Sequence, residues 1–143
     1  MTPAGYGAFF FTVVLLATTA YFLMGGLPLL VLKHDVPLDA RFIHSFFRWY
    51  YRLAFWTSLG AGLSYAMWGR FGFAVGSAAI TAATMLLRKH LLHAMQRLDD
   101  RVQAGAQGAV RDFRRVHALA LSVNGVQMVV IVWGLMVLSR QMS

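Results

Sequence analysis

The chain has no cysteine and no glutamate among its 143 residues, and only three prolines. Without cysteine there is no disulfide, no thiolate metal centre and no iron–sulfur cluster, and the redox compartment stays open. Without glutamate the di-iron bundle pattern, built on a Glu and a Glu-x-x-His pair, is excluded. Acids of any kind are few. Asp35, Asp39, Asp99, Asp100 and Asp112 face thirteen basic residues, for a net charge of +8. Every Asp falls in a connector or near a helix start, so a Ser–His–Asp triad inside the apolar runs is not expected. No G-x-S-x-G, P-loop or Gly-rich dinucleotide sequence occurs.

Apolar residues fill the chain instead. They make up 59% of it, with a mean hydropathy of +0.60. A soluble domain is about 45–50% apolar. No charged residue occurs from Ala4 to Leu32, a run longer than the ~20 residues a transmembrane helix needs. Its start, MTPAGYGAFFF, lacks the basic region of a cleaved signal peptide and is read as retained. Gly25, Gly26 and Pro28 predict a kink or an early end to this helix. A polar connector follows, KHDVPLDA over 33–40. There Pro37 disfavours helix at Val36, and Asp39 is a candidate N-cap.

The second helix opens amphipathic, ARFIHSFFRWYYRLAF, with Arg41, His44, Arg48 and Tyr51 or Arg52 sharing a face. Aromatics beside arginines form the interfacial belt of a span. The helix continues to Trp68 through Ser58, Gly60, Ala61, Gly62 and Ser64, small residues suited to close packing in lipid. Gly69-Arg70 is a tight turn. A third span begins at Phe71, and its helix runs on to about Leu98. A polar loop is predicted over Asp99–Val110, with Gly105 and Gly108 as breakers. Asp112 helps to start the fourth helix. The fold class is therefore all-α: one domain, an up-down four-transmembrane-helix bundle with spans near 5–32, 50–68, 71–88 and 116–139.

Basic residues orient the bundle. Eleven of the thirteen flank the connector after the first helix and the loop after the third. Arg70 and Arg140 lie on the other side. The positive-inside rule then puts both termini outside and the two long connections in the cytosol, in a cell inner (cytoplasmic) membrane. All five acids share that cytosolic side, and eleven basic residues less five acids leave +6 there, favouring anionic lipids. Because the positive charge borders membrane-length runs, it points to topology and headgroups and not to nucleic acid.

Ser77, Thr81, Thr84 and Arg88 recur at i, i+4, i+7 and i+11. Such a stripe reads first as a helix–helix seam and second as a solute path. Asn124 and Gln127 are the amide side chains of the fourth span. All five histidines sit toward the cytosolic end. His90 and His93 are i, i+3, and His117 or His44 from other helices offers a third imidazole. Imidazoles at one level suit a transition metal or the axial positions of haem b. Arg48, Arg88 and Arg114 are candidates for the haem propionates or another anion. The plain alternative is that these are headgroup-level interfacial residues.

Helix two opens FFRWYYRLAF and helix four opens DFRRVHALALSVNGVQ. This pairing resembles the transmembrane-protein-205-like family of small four-helix membrane proteins, through Arg48, Tyr51, Arg52, His117 and Asn124. The resemblance covers most of the chain and implies a four-helix bundle. It implies no activity, since the family's function is largely unassigned. Where that family often carries Gly after the histidine, this chain has Ala118. Size and layout are also similar to those of bacterial haem-binding protoporphyrinogen oxidase and of the copper-resistance D domain. Those proteins usually place a histidine in the first helix, and this chain has none before Lys33.

These readings predict a small integral membrane protein, non-enzymatic, that acts through helix packing as an accessory subunit or a self-associating bundle. The alternatives are a haem- or metal-binding redox protein on His44, His90, His93 and His117, and a small transporter or channel on the Ser77–Arg88 stripe with Asn124.

Overall fold

The computed structural model describes residues 2–31 and 37–142, with side chains described at 2–31 and 42–141. Lys33, His34, Asp35 and Val36 of the connector, and the side chains of Asp39 and Arg41, lie outside the described set. The described chain forms four helices: α1 (Pro3–Val31), α2 (Pro37–Met67), α3 (Phe71–Gln103) and α4 (Ala109–Met142). Three of them, α1, α3 and α4, are long and apolar enough to cross a membrane. α2 falls short because Arg48 and Arg52 interrupt its first half, while Thr57, Ser58, Gly60 and Ser64 dilute its second.

Helix α1 runs through Gly25, Gly26 and Pro28 to Val31, contrary to the expected early end. The glycines answer to packing. A Cβ on Gly25 would come within 3.1 Å of the Phe46 ring, and one on Gly26 would collide with Leu121. The buried face of α1 is Gly5, Ala8, Thr12, Leu15, Thr19, Phe22 and Gly26, a stripe of helical period made largely of small or hydroxyl residues. Thr12, Thr18 and Thr19 donate back to the carbonyls of Ala8, Val14 and Leu15 at 2.7, 2.7 and 2.8 Å. Those bonds satisfy the hydroxyls within their own helix.

Helix α2 begins at Pro37, two residues before Asp39, so Asp39 sits inside the first turn and is not its N-cap. Pro at the first helical position loses nothing, because that N–H has no intrahelical acceptor. Helix α3 reaches Gln103, and the predicted polar loop shrinks to residues 104–108. The Asp99–Arg101 stretch is polar, yet Leu91, Met95, Asp99 and Val102 keep the buried spacing of a helix. α2 and α3 end alike. Gly69 (φ +77°) and Gly105 (φ +69°) take left-handed backbone. The two N–H groups at each end then return to the last turn, Gly69 to Ala66, Arg70 to Tyr65, Gly105 to Val102 and Ala106 to Arg101. This is the Schellman closure, for which glycine is the favoured residue.

The helices form a ring in which α2 packs along α1 and α3, and α4 closes it against α1 and α3. Neighbours are antiparallel. Along α1 and α2, Gly5 meets Trp68, Gly7 meets Ser64, Gly60 meets Phe11 and Gly25 meets Phe46. One core cluster gathers Phe22, Phe47, Tyr50, Tyr51, Leu91, Met95, Phe113 and Leu121 toward the basic end. A smaller one, Ala8, Ala61, Tyr65 and Leu138, lies at the opposite end. The 33 residues of α3 span about 50 Å at 1.5 Å each, well beyond a ~30 Å hydrocarbon core.

The small residues of α2 are consumed inside the protein. Gly60 takes the Phe11 ring, Gly62 faces Ser77, and Ser64 lies 3.2 Å from a Cβ built on Gly7. Gly60→Leu is therefore expected to lower stability in detergent by about 2 kcal/mol through overpacking. Gly125→Ala, with open space around it, is expected to leave stability unchanged or slightly raised. Thermal unfolding of the two variants tests this register. Equal losses would contradict it.

Candidate functional site at the basic end

Two features stand out, a groove between α2 and α3 and a polar cluster in the core. The groove is open along its length, most of its lining being exposed, and measures about 830 Å³. Its polar lining comes from one face of each helix: His44 and Arg48 of α2, one turn apart, and Arg88, Lys89, His93 and Gln96 of α3. Its other wall is Ala82, Met85, Leu86 and Leu92. Ala82 precedes Arg88 by six residues and so lies about 9 Å further along α3, toward the centre of the apolar segment. Ala82, Met85 and Leu86 thus extend the groove away from the cations, while Leu92 lies among them between Lys89 and His93.

Arg48 donates through Nη2 to His44 Nδ1 at 3.2 Å. A guanidinium cannot accept, so Nδ1 offers its lone pair and the neutral ring keeps its proton on Nε2. Burial first, and the Arg48 charge second, hold the His44 imidazole below its ordinary value of 6.5, and Asp99 acts in the opposite direction. His93 uses Nδ1 as a donor to Lys89 O at 2.5 Å, which leaves Nε2 as its second nitrogen. Among the described residues, Arg48, Arg88 and Lys89 pair with no carboxylate. Asp99 is 7% exposed and accepts from Gln103 Nε2 at 3.1 Å.

The remaining sequence candidates lie apart from the groove. His90 is exposed. His117 is fully buried, packed edge-on against Phe47 with centroids 5.2 Å apart. Arg114 is exposed on α4. Among the described residues no three His or Asp side chains come within reach of one ion. The proposed grouping of His90, His93 and His117 is not assembled, because α3 turns His93 toward α2 while α4 buries His117 in the core. The stripe on α3 lies in the seam with α2. Ser77 and Thr84 are buried, and Thr81 donates to Ser58 Oγ at 2.9 Å. Arg88 ends that stripe in the groove.

Asn124 and Gln127 of the polar cluster were singled out in the sequence, but their placement beside Tyr50 and Tyr51 was not. Tyr50 donates to Asn124 Oδ1 at 3.1 Å across the ring, and its ring stacks on Phe22 at 3.9 Å between centroids. The hydroxyl of Tyr51 and the amide nitrogens of Asn124 and Gln127 are buried without a hydrogen-bond partner among the described residues. Sequence separation hid these pairs, although Asn124 and Gln127, as the amides of an apolar span, were the available signal. At the opposite end a cleft of about 330 Å³ opens between α3 and α4, bordered by Gly72, Gly76, Val130 and Gly134, with Thr12 and Tyr65 among its lining. The Thr12 and Tyr65 hydroxyls are themselves bonded at 3.0 Å.

No protein family, curated protein or solved structure matches the chain.

Two measurements follow from this geometry. Tyr50→Phe is expected to cost about 0.6 kcal/mol, the average for a hydrogen bond between membrane helices. Tyr51→Phe, which removes an unpartnered hydroxyl, is expected to be neutral or stabilising. A larger loss at Tyr51 than at Tyr50 would contradict the assignment. In micelles, the His44 ring is expected to titrate below 6.5, and Arg48→Gln to move it partly back up, as followed by NMR. Because folding disfavours the His44 cation, this residue subtracts stability only as pH falls below that ordinary value. A His44 titration at or above 6.5 would contradict the burial described here.

Proposed function

We propose that this protein is a multi-pass protein of a cytoplasmic membrane and that its α2–α3 groove holds the anionic head of a membrane lipid on the cytosolic side. The carrying observation is the groove itself. Arg48, Arg88 and Lys89, free of carboxylate partners among the described residues, border with His44 and His93 one part of an open groove that Leu86, Met85 and Ala82 continue as apolar surface. That gradient matches an amphiphile entering from the bilayer, head at the interface and chain along Leu86, Met85 and Ala82.

In this reading all four helices cross. Helix α2 runs antiparallel to α1 over the whole length from Gly5 to Gly25 and to α3 from Gly62 to Thr81, so it accompanies both through the hydrocarbon despite its polarity. Both termini then lie outside and the 104–108 turn in the cytosol, in keeping with the bias of basic residues. The absence of cysteine makes this directly testable. Thr2→Cys is expected to react with a membrane-impermeant maleimide in intact cells, and Gln107→Cys only after lysis. The reverse pattern would invert the topology.

Protein extracted gently from its membrane is expected to retain anionic lipid in native mass spectrometry, and Arg88→Glu/Lys89→Glu to lose it. Retention of neutral lipid alone would end the reading.

A second reading, association with a further helix, draws on α3. Gly72 and Gly76 are exposed one turn apart, and a Cβ at either would meet nothing within 4 Å. Two glycines spaced in this way let backbones approach closely in lipid. Chain mass in mild detergent, compared with that of Gly76→Leu, tests for a dimer or subunit partner.

A further inference from the structure

The basic groove also carries information about which anionic head it would take. We infer that the groove is built for a phosphomonoester lipid, a dianion with three terminal oxygens, in preference to the phosphodiester lipids that dominate an anionic bilayer. The inference rests on the lipid-binding reading above and adds the headgroup class to it.

The first argument is charge. Among the described residues, three permanent cations line the groove, Arg48, Arg88 and Lys89, and no carboxylate does. The acid that acts on His44, Asp99, is buried and already accepts from Gln103. A phosphodiester brings one negative charge and leaves two cations without a partner at the edge of a low-dielectric medium. A phosphomonoester brings about −1.5 to −2 at neutral pH, which comes closer to balance.

The second argument is donor count. With Nδ1 engaged by Arg48, neutral His44 presents Nε2–H as a donor. Arg48 spends one N–H on that contact and retains the rest of its fork, while Arg88 and Lys89 keep all of theirs. These donors arrive from two helices, His44 and Arg48 from α2 and Arg88 and Lys89 from α3, so they approach a bound head from different sides. Three terminal oxygens can engage such a set, whereas a diester offers two.

The third argument is reserve charge. Neutral His44 already presents Nε2–H, so its reserve lies in charge and not in a further donor toward the groove. A dianion seated among Arg48, Arg88 and Lys89 favours the His44 cation more strongly than a monoanion does. The apolar wall of Ala82, Met85 and Leu86 supplies the place for a chain, and it commits the site to a lipid over a soluble phosphate ester.

The test uses the full-length protein in phosphatidylcholine nanodiscs doped with phosphatidic acid or phosphatidylglycerol, with bound lipid read by native mass spectrometry. Near neutral pH, phosphatidic acid is expected to be retained about tenfold more strongly, of the order of 1.4 kcal/mol for one additional charge-assisted bond. The preference is expected to shrink as pH falls through about 6, where the phosphomonoester loses its second charge. Arg88→Gln/Lys89→Gln is expected to erase the preference, and Arg111→Gln, an exposed cation on α4 outside the groove, to leave it intact. The His44 ring signal is expected to titrate higher with phosphatidic acid bound.

Equal retention of the two anionic lipids overturns the headgroup inference and leaves the lipid-binding reading standing. Retention no stronger than that of phosphatidylcholine overturns both. Displacement by glycerol 3-phosphate at the concentration that phosphatidic acid requires overturns the commitment to a lipid.

Discussion

Among the described residues, buried or partly buried side-chain hydrogen bonds tie α2 to each of the other three helices: Tyr65 with Thr12 of α1, Ser58 with Thr81 of α3, and Tyr50 with Asn124 of α4. A buried polar side chain that lacks a partner within the protein is costly. α2 buries Tyr50, Tyr51 and Tyr65 together with Thr57 and Ser58, so its neighbours supply partners. That constraint arranges the ring. α2 is flanked by the two helices it packs along and reaches across to the fourth. The aromatic stack of Phe22, Phe46, Phe47 and Tyr50 fills the space around the deepest of these bonds.

The groove is a by-product of the same arrangement. α2 meets α3 at close quarters in its second half, where Ser58, Gly62, Ser77 and Thr81 keep side chains short. Toward the basic end the small residues give way to the longer side chains of Arg48, His44, Arg88 and Lys89, which border the groove outside the buried Ile43, Phe47, Leu91 and Met95. The seam of the apolar half and the groove of the basic half therefore share a single pair of helix faces.

Much of this architecture was legible in the sequence, and the gaps have physical causes. The four helices, the turn at Gly69 and the basic end follow from uninterrupted apolar length, left-handed glycine and charge. The extension of α3 to Gln103 was hidden because Asp99, Asp100 and Arg101 are polar as a run, although Asp99 and Val102 continue a buried face. Pro28 and its glycines resembled a helix end because close approach of Phe46 and Leu121 cannot be seen locally. The histidines shared a level in the sequence and separate in the structure, since helical rotation, and not depth alone, decides which ones meet. His44 and Arg48 were visible as one face of α2, and Arg88 as the end of a stripe. That the two faces border one groove depends on the α2–α3 register, which one chain read alone does not contain.

Helices α3 and α4 are clasped near both tips, Arg70 to Gln141 at one end and Arg101 to Asp112 at the other, and they part between the clasps at the 330 Å³ cleft. Two rods tied at their ends and apart along their length behave as a slot. Gly72, Gly76 and Gly134 bring no side chain to fill it, so the cleft reaches inward as far as Thr12 and Tyr65, whose hydroxyls satisfy each other.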